Sequence, residues 1–326
     1  MRLNRTRLAR PFVLLLLIAS ALAGCGDDKP APGGTAGLEK AQIKVAMLSL
    51  VTNAPYYIAV KERLFEAEGL DVETQPVQSS PQAYPALKTG AIDLVFANDA
   101  SMLLGHDKGD LPISLIAEGT TLKPKFMGVL VLPGSPVTSL KDLAGRSVTV
   151  HVLNNIQAIT LDAIAKAGGL DPARIQYRQV VFPQMAATMQ KGDVDAIHVT
   201  EPFTTDVQRK LGARMVVDGG AAPVTDLPMD GYFALESWAK QNPGTAAAFQ
   251  RAMQKAQAIA ADRARVEEVL PTYIRGVDPA TSKAMTMPGF PTSNDPARVQ
   301  RLIDLMKEQG RLTNRLDATT IVFKPA

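Results

Sequence analysis

Cysteine is almost missing. Cys25 is the only one in 326 residues, so no disulfide can form within the chain. Aromatic residues make up 5% of positions, with a single tryptophan, and the three histidines, His106, His151 and His198, are too sparse and separated to argue for a metal site. The motifs of the commoner enzymes are missing as well: there is no GxSxG, HExxH, Walker A, GxGxxG or CxxC, which removes support for hydrolase, zinc, nucleotide and thiol-redox chemistry. No catalytic residue, metal or cofactor is expected. A surplus of one charge sign is also lacking. The formal charge is +3, but Arg2, Arg5, Arg7 and Arg10 all fall in the first ten residues, and the rest holds 31 basic against 32 acidic residues. A near-neutral body has no electrostatic footprint for nucleic acid. At 46% hydrophobic and 21% charged positions, it is globular rather than disordered or fibrous.

The start of the chain carries the most specific signal. Behind the four arginines runs an uncharged stretch from Phe12 to Ala23, then Gly24, Cys25 and the polar Gly26-Asp27-Asp28-Lys29-Pro30. The apolar run is too short to span a bilayer, which takes roughly 20 helical residues, so residues 1–24 read as a signal peptide. Leu22-Ala23-Gly24-Cys25 resembles a bacterial lipobox, in which the cysteine is lipidated and becomes the first residue of the mature protein. An incidental cysteine after an ordinary cleavage site, or a buried structural thiol, is the alternative. Residues 25–41, with Pro30, Pro32, Gly33, Gly34 and Gly37, have linker composition and read as a lipidated cysteine on a flexible tether. The protein is therefore expected at the cell membrane, lipid-anchored on its extracytoplasmic face.

A repeat organises much of the body. Gly69-Leu70-Asp71 recurs as Gly169-Leu170-Asp171, Pro81-Gln82 as Pro183-Gln184, and Gly90-Ala91-Ile92-Asp93 as Gly192-Asp193-Val194-Asp195. Each copy alternates β-like runs (43–50, 72–77 and 94–97; 147–153, 175–181 and 196–199) with helical stretches (55–68 and 81–89; 156–167 and 183–191). That alternation predicts parallel βαβ units with right-handed crossovers. Ser139-Leu140-Lys141-Asp142 has capping-box spacing and starts a short helix. Beyond the second copy come a strand (232–235) and a mostly helical end, where Phe249, Met253, Ala256 and Ile259, and then Val299, Leu302, Ile303 and Met306, form core-facing stripes. His198 reads as a packed core residue, and Trp238 as part of a helix's first turn packed on the first lobe. The loop 219–223 is a natural place for the chain to cross back.

In open parallel sheets, ligands bind beyond the carboxyl ends of strands. The repeat supplies six such tips, and the candidate ligand-binding residues are Asn53, Ala54, Tyr56, Ser79, Ser80, Asn98 and Asp99 in the first copy and Asn154, Asn155, Phe182, Gln184, Thr200 and Glu201 in the second, with Asp230 and Tyr232 on the later strand. Asn, Ser and Asp at such places also cap helices, and cap and ligand roles can coexist. Glu201, before Pro202, has no packing reason to be there.

With the lipobox and tether, Asn53-Ala54-Pro55-Tyr56-Tyr57, Leu64-Phe65-Glu66-Ala67-Glu68-Gly69-Leu70-Asp71-Val72, Ser139-Leu140-Lys141-Asp142-Leu143-Ala144-Gly145-Arg146 and Thr200-Glu201-Pro202-Phe203 resemble the substrate-binding proteins of the nitrate/sulfonate/taurine and thiamine-precursor ABC importers. The resemblance covers about 43–324. It implies an α/β, type II periplasmic-binding fold: two Rossmann-like lobes with parallel-rich sheets, two crossover strands, and a ligand cleft between them. Lobe 1 is expected at 42–132 plus 222–326 and lobe 2 at 133–221. The chain departs from many relatives at Leu153-Asn154-Asn155, where a basic or Gly-Ser tip is common.

The implied function is non-enzymatic: a monomer captures a small polar solute between closing lobes and delivers it to a membrane permease whose ATPase is a separate chain. A thiamine-pyrimidine-synthase-like enzyme and a tethered sensory lobe are the alternatives; the enzyme family uses a cysteine-rich motif that this chain lacks. No Arg or Lys occupies any of the six tips, while Asp99 and Glu201 do and Asp230 lies just before the later strand at Tyr232, so a neutral or cationic nitrogen heterocycle stands level with the sulfonate default. Tyr56, Phe182, Phe203 and Tyr232 are placed to stack on a ring. If Cys25 carries lipid, Cys25→Ser will release the protein from washed membranes into the soluble fraction; retention of the variant in the membrane fraction would refute the anchor.

Overall fold

The computed structural model describes residues 37–325; the signal-peptide segment and Cys25 lie outside them. Two five-stranded mixed sheets form the body. The strands are β1 (Gln42–Met47), β2 (Asp71–Pro76), β3 (Leu94–Asn98), β4 (Ile113–Thr121), β5 (Met127–Val131), β6 (Ser147–Val150), β7 (Gln176–Gln179), β8 (Ala196–Thr200), β9 (Arg214–Asp218) and β10 (Pro228–Leu235). The sheet orders are β2-β1-β3-β10-β4 and β7-β6-β8-β5-β9. In each, the three strands of one repeat copy are parallel, and the fourth runs antiparallel to its neighbours.

The two copies fold alike for local reasons. Gly69, Gly90, Gly169 and Gly192 all take left-handed backbone (φ 81°, 73°, 74° and 79°), which glycine adopts without a Cβ penalty where a helix turns into a strand. The aspartate closing each motif then pins the start of the neighbouring first strand. Asp93 accepts from the Lys44 amide (2.9 Å), Lys40 Nζ (2.6 Å) and Trp238 Nε1 (2.8 Å). Asp195 accepts from the Ser147 amide (2.8 Å), its hydroxyl (2.7 Å) and Arg146 Nη1 (3.2 Å). Trp238 thus packs against the first sheet's half through its indole N–H.

One expected boundary is corrected. The sequence places 42–132 in the first lobe, but β5 pairs with β8 and β9 in the second sheet. Its short apolar run falls inside that expected range. All five residues are buried, however, and a strand covered on both faces belongs inside a sheet. The chain therefore crosses at 122–126 and returns at 219–227, and the two crossings lie side by side. The Leu122 amide donates to the Leu227 carbonyl, and the Asp226 amide to the Leu122 carbonyl (both 2.9 Å). A Cβ at Gly220 would lie 2.1 Å from the Lys123 carbonyl oxygen, so only glycine permits this approach.

The helical expectation for 55–68 breaks in two, at Arg63 (φ 55°), into Ala54–Lys61 and Leu64–Ala67. The helix carrying the first C-terminal stripe spans Pro243–Ala260, and a second helix, Arg263–Tyr273, starts on an Asp262 cap. The apolar stripes face the core as expected: Phe249, Met253, Ala256, Val299, Leu302, Ile303 and Met306 are all buried. Ser139 and Asp142 close their capping box through the Ser139 amide (2.9 Å) and hydroxyl (3.0 Å). No helix among the described residues is long and apolar enough to cross a membrane.

The expected tether ends earlier than residue 41. Glu39 accepts from the amides of Gly244 (3.1 Å) and Thr245 (2.9 Å), capping the helix Pro243–Ala260. Its own amide and that of Thr245 hold the carboxyl below the usual glutamate range. Because the folded value is depressed, this contribution is present above the unfolded value and lost as pH falls through the folded one. Glu39→Ala should lower the unfolding free energy by about 1 kcal/mol at pH 7, read from urea midpoints, with the difference from wild type shrinking as pH falls below the ordinary glutamate value.

Candidate functional site

Parallel strands aim their carboxyl ends and the following helix N-termini in one direction, and here the two sheets aim theirs at each other. Between them lies a cavity of about 60 Å³. The first half contributes Leu48, Leu50, Thr52, Ser80, Phe96, Ala97 and Asn98 from the ends of β1, β2 and β3, with Met229 and Asp230 from β10. The second contributes Met127, His151, Asn155, Ile156, Gln157, Phe182 and Thr200.

Six of the expected residues meet here: Ser80, Asn98, Asn155, Phe182, Thr200 and Asp230. The other nine do not line the cavity. Tyr56 and Tyr232 are fully buried in the first core, 6.2 Å apart and stacked, and the Tyr56 hydroxyl is hydrogen-bonded to Thr74 Oγ1 (2.8 Å). Asn53 and Ala54 are buried at the turn after β1, where Asn53 Oδ1 accepts from the Leu50 amide (3.2 Å). Asp99 is buried in the first turn of the helix Asp99–Asp107. Ser79 sits one residue outside the wall, and Gln184 is exposed on its helix. Asn154, in left-handed backbone (φ 61°), is exposed and accepts from Arg311 Nη1 (2.6 Å). Glu201 faces a different groove, and its carboxylate accepts from the Thr205 amide (3.0 Å), the Thr205 hydroxyl (2.8 Å) and the Thr286 amide (3.1 Å). These partners consume its lone pairs, so it is a structural bridge to the C-terminal segment. Phe203 stacks behind Phe182 at 5.3 Å, outside the wall.

Sequence reasoning missed His151, Gln157 and Thr52. A usable signal existed: His151 follows β6 as Leu48 follows β1, so aligning the first strands of the two copies places both at the same tip. His151 Nδ1 accepts from the Phe182 amide (3.3 Å). In the neutral ring the proton therefore sits on Nε2, which makes no hydrogen bond of ordinary geometry. Burial holds the imidazole down at about 4, only slightly opposed by the Gln78 carbonyl, so the ring is neutral at pH 7. It stacks on Phe182 at 4.3 Å and 7°. Gln157 ties this lip together, accepting from the His151 amide (2.8 Å) and Asn155 Nδ2 (2.9 Å) and donating to the His198 carbonyl. His198 itself is fully buried, as expected of a core residue. Thr200 Oγ1 is likewise buried without a hydrogen-bond partner among the described residues.

Asn98 bridges the halves. Its Oδ1 accepts from the Ile156 amide (3.2 Å), at the start of the helix Ile156–Ala167, and from Ser101 (3.4 Å), and its Nδ2 donates to the Met229 carbonyl (2.9 Å). A direct bond thus joins the two halves beside the cavity. Among the described residues, no lysine or arginine lines the wall. Burial pushes the Asp230 carboxyl up to about 7, opposed by the neighbouring polar side chains of Asn98, Thr120 and Thr52. Asp99 is raised well above the carboxylate range by burial, then by the charges of Asp230 and Glu118, and neither of its oxygens has a hydrogen-bond partner among the described residues.

A family model described as NMT1/THI5 like matches residues 51–264. The chain belongs to this family. Among its relatives is the riboflavin-binding protein RibY of Chloroflexus aurantiacus, 25% identical over 264 residues, covering 77% of this chain and 72% of that one. Another is the nitrate/nitrite binding protein NrtA of Synechococcus elongatus, 26% identical over 270 residues, 74% of this chain and 60% of that one. A similar solved structure is the alkanesulfonate-binding protein SsuA from Xanthomonas axonopodis pv. citri bound to MOPS, with a TM-score of 0.74 at 20% identity, covering 88% of this chain and 99% of that one. The fold is that of the periplasmic binding proteins, in which family and structural likeness agree.

Asp230 gives a pH test of the site's electrostatics. A carboxyl raised in the folded state binds a proton that the unfolded chain has released, so stability falls as pH climbs from about 4 to 7 and is level above. Asp230→Asn removes that decline. Urea unfolding across this range should show the variant gaining on wild type by about 2–4 kcal/mol by pH 7; parallel pH curves would show that Asp230 is not held protonated.

Proposed function

We propose that the chain is the extracytoplasmic solute-binding component of an ABC importer, anchored through lipid on Cys25, which closes two lobes over a small polar solute and presents it to a membrane permease. It acts as a binding protein rather than an enzyme. Membership of the family supports this reading, as do the names of the two relatives above, a riboflavin-binding and a nitrate/nitrite binding protein. A ligand contacting both halves favours the closed state only by its differential affinity for it.

The finer reading concerns the solute, and the observation that carries it is the cation-free wall with Asp230 in it. An anion here would meet a carboxyl near its titration point and a neutral imidazole, with no lysine or arginine to offset desolvation. The N-terminal donors of the helix Ile156–Ala167 are already engaged, Ile156 by Asn98 and Gln157 by Asn155 (3.1 Å), which reduces what a helix terminus could offer an anion. The free groups pair differently. His151 Nε2 and Thr200 Oγ1 donate from the second half, Asp230 accepts from the first, and the aromatic faces of Phe96 and Phe182 flank them. A flat nitrogen heterocycle with an acceptor on one edge and an amino group on the other, of the aminopyrimidine kind, satisfies all three. Ser80, Asn98, Asn155, Phe182, Thr200, Asp230 and His151 are the proposed ligand-binding residues.

Calorimetric titration with taurine, an aliphatic sulfonate, nitrate and an aminopyrimidine tests this assignment. The aminopyrimidine should bind, and Asp230→Asn should weaken it about tenfold, the cost of losing a charge-assisted acceptor. Binding of a sulfonate alone, unaffected by Asp230→Asn, would reverse the assignment.

A further inference from the structure

The lobes touch outside the cavity as well, along the helix Ile156–Ala167 that joins β6 to β7. This helix is shared. Leu161 and Ala165 pack into the core beside the second sheet, while Ile156, Ile159 and Ala163, spaced three and four apart on the opposite face, join the core of the first. The turn after the helix Pro296–Glu308 grips it from the first half: Gln309 Nε2 donates to the Ile159 carbonyl (2.8 Å), and Lys166 Nζ donates to Glu308 (2.7 Å).

Arg311 stands at the centre of this grip. Its guanidinium donates through Nη1 to Asn154 Oδ1 (2.6 Å), through Nη2 to the Asp162 carboxylate, and through Nε to Gln309 Oε1 (3.0 Å). The Arg311 and Asp162 side chains retain only 16% and 12% of their exposure. Each partner is held separately by its own half. Asp162 also accepts from the Tyr177 hydroxyl of β7 (2.6 Å). Arg311 is rooted by the residues beside it: Leu312 is buried in the first core, and the Thr313 and Asn314 amides donate to the Asp107 carboxylate (2.7 and 2.8 Å). The pair is thus made between two rigid bases and is broken when the halves part.

We propose that Arg311 is a positioning residue outside the cavity: a latch that holds the lobes closed without solute and fixes the lip from Asn154 to Gln157 in its closed place. The inference rests on the solute-binding reading for its purpose and on the contacts above for its existence. A buried ion pair adds little net stability but leaves a costly unpaired charge when one partner is removed. Opening rehydrates Asp162, so loss of Arg311 penalises the closed state and not the fold. A protein closed part of the time before solute arrives binds with higher apparent affinity, because less free energy is spent on closure.

Two exposed positions on opposite halves, Lys88 and Lys191, suit spin labels after substitution to cysteine in a full-length Cys25→Ser background. Electron–electron distance measurement without any solute should give one dominant short distance for the otherwise unaltered chain. Arg311→Ala should add a longer one, raising the open-to-closed ratio about tenfold, with an unchanged far-UV spectrum. Arg311→Lys, which keeps the charge and loses the fork, should fall between them. Asn154→Gly, which preserves the left-handed backbone and removes one acceptor, should shift the distribution less in the same direction. A distribution unmoved by Arg311→Ala overturns the latch, and so does an unaltered chain that is already open. If Arg311→Ala does not fold, Asn154→Gly decides, and no shift there overturns the proposal. Because no solute is added, failure of an aminopyrimidine to bind leaves this result standing.

Discussion

Two chain crossings, packed edge to edge, hold the molecule's geometry. The segment 122–126 carries the chain from the first sheet to the second and 219–227 carries it back, joined through Leu122, Asp226 and Leu227. Each crossing delivers an antiparallel strand into a sheet of parallel strands, β5 into the second and β10 into the first. The carboxyl ends of both parallel sets are thereby forced to face one another across a narrow gap. The cavity, the capping contacts and the seam along the helix Ile156–Ala167 follow from that constraint.

Inside the gap, desolvation outweighs charge. Asp230 is raised to about 7 and His151 is held as the neutral base, while Asp99, buried in the helix that follows β3, is driven further toward the neutral acid. The wall consequently acts through hydrogen-bond direction and aromatic faces more than through net charge. On the outer seam Arg311 and Asp162 meet as an ion pair, and each is completed by further hydrogen bonds, to Gln309 and Asn154 on one side and Tyr177 on the other, while burial raises the Asp162 carboxyl there as well.

Several polar residues at strand tips carry the fold more than the cavity. Glu201 and Asn53 spend their acceptors on neighbouring amides. Asn98 and Asn155 combine both tasks, since each accepts from a helix amide while its side chain reaches the cavity wall. Capping and recognition draw on the same geometry at a helix N-terminus, which is why residue type alone does not separate them.

The repeat, the βαβ alternation, the core-facing stripes and the general location of the cleft were legible in the chain itself, because they rest on local periodicity and on glycine and aspartate at fixed offsets. Gly90 with Asp93 and Gly192 with Asp195 do the same physical work in both copies. Which tip residues share one cavity was not legible. Tyr56 and Tyr232 turn into the core, Asn154 turns out to Arg311, and His151 turns in, according to which face of a helix or which neighbour's amide lies opposite. The place of β5 was equally beyond local reading: its sequence permits a hairpin with β4 or a central slot in the other sheet. Only the pairing of strands far apart in the chain, which buries both of its faces, selects the second.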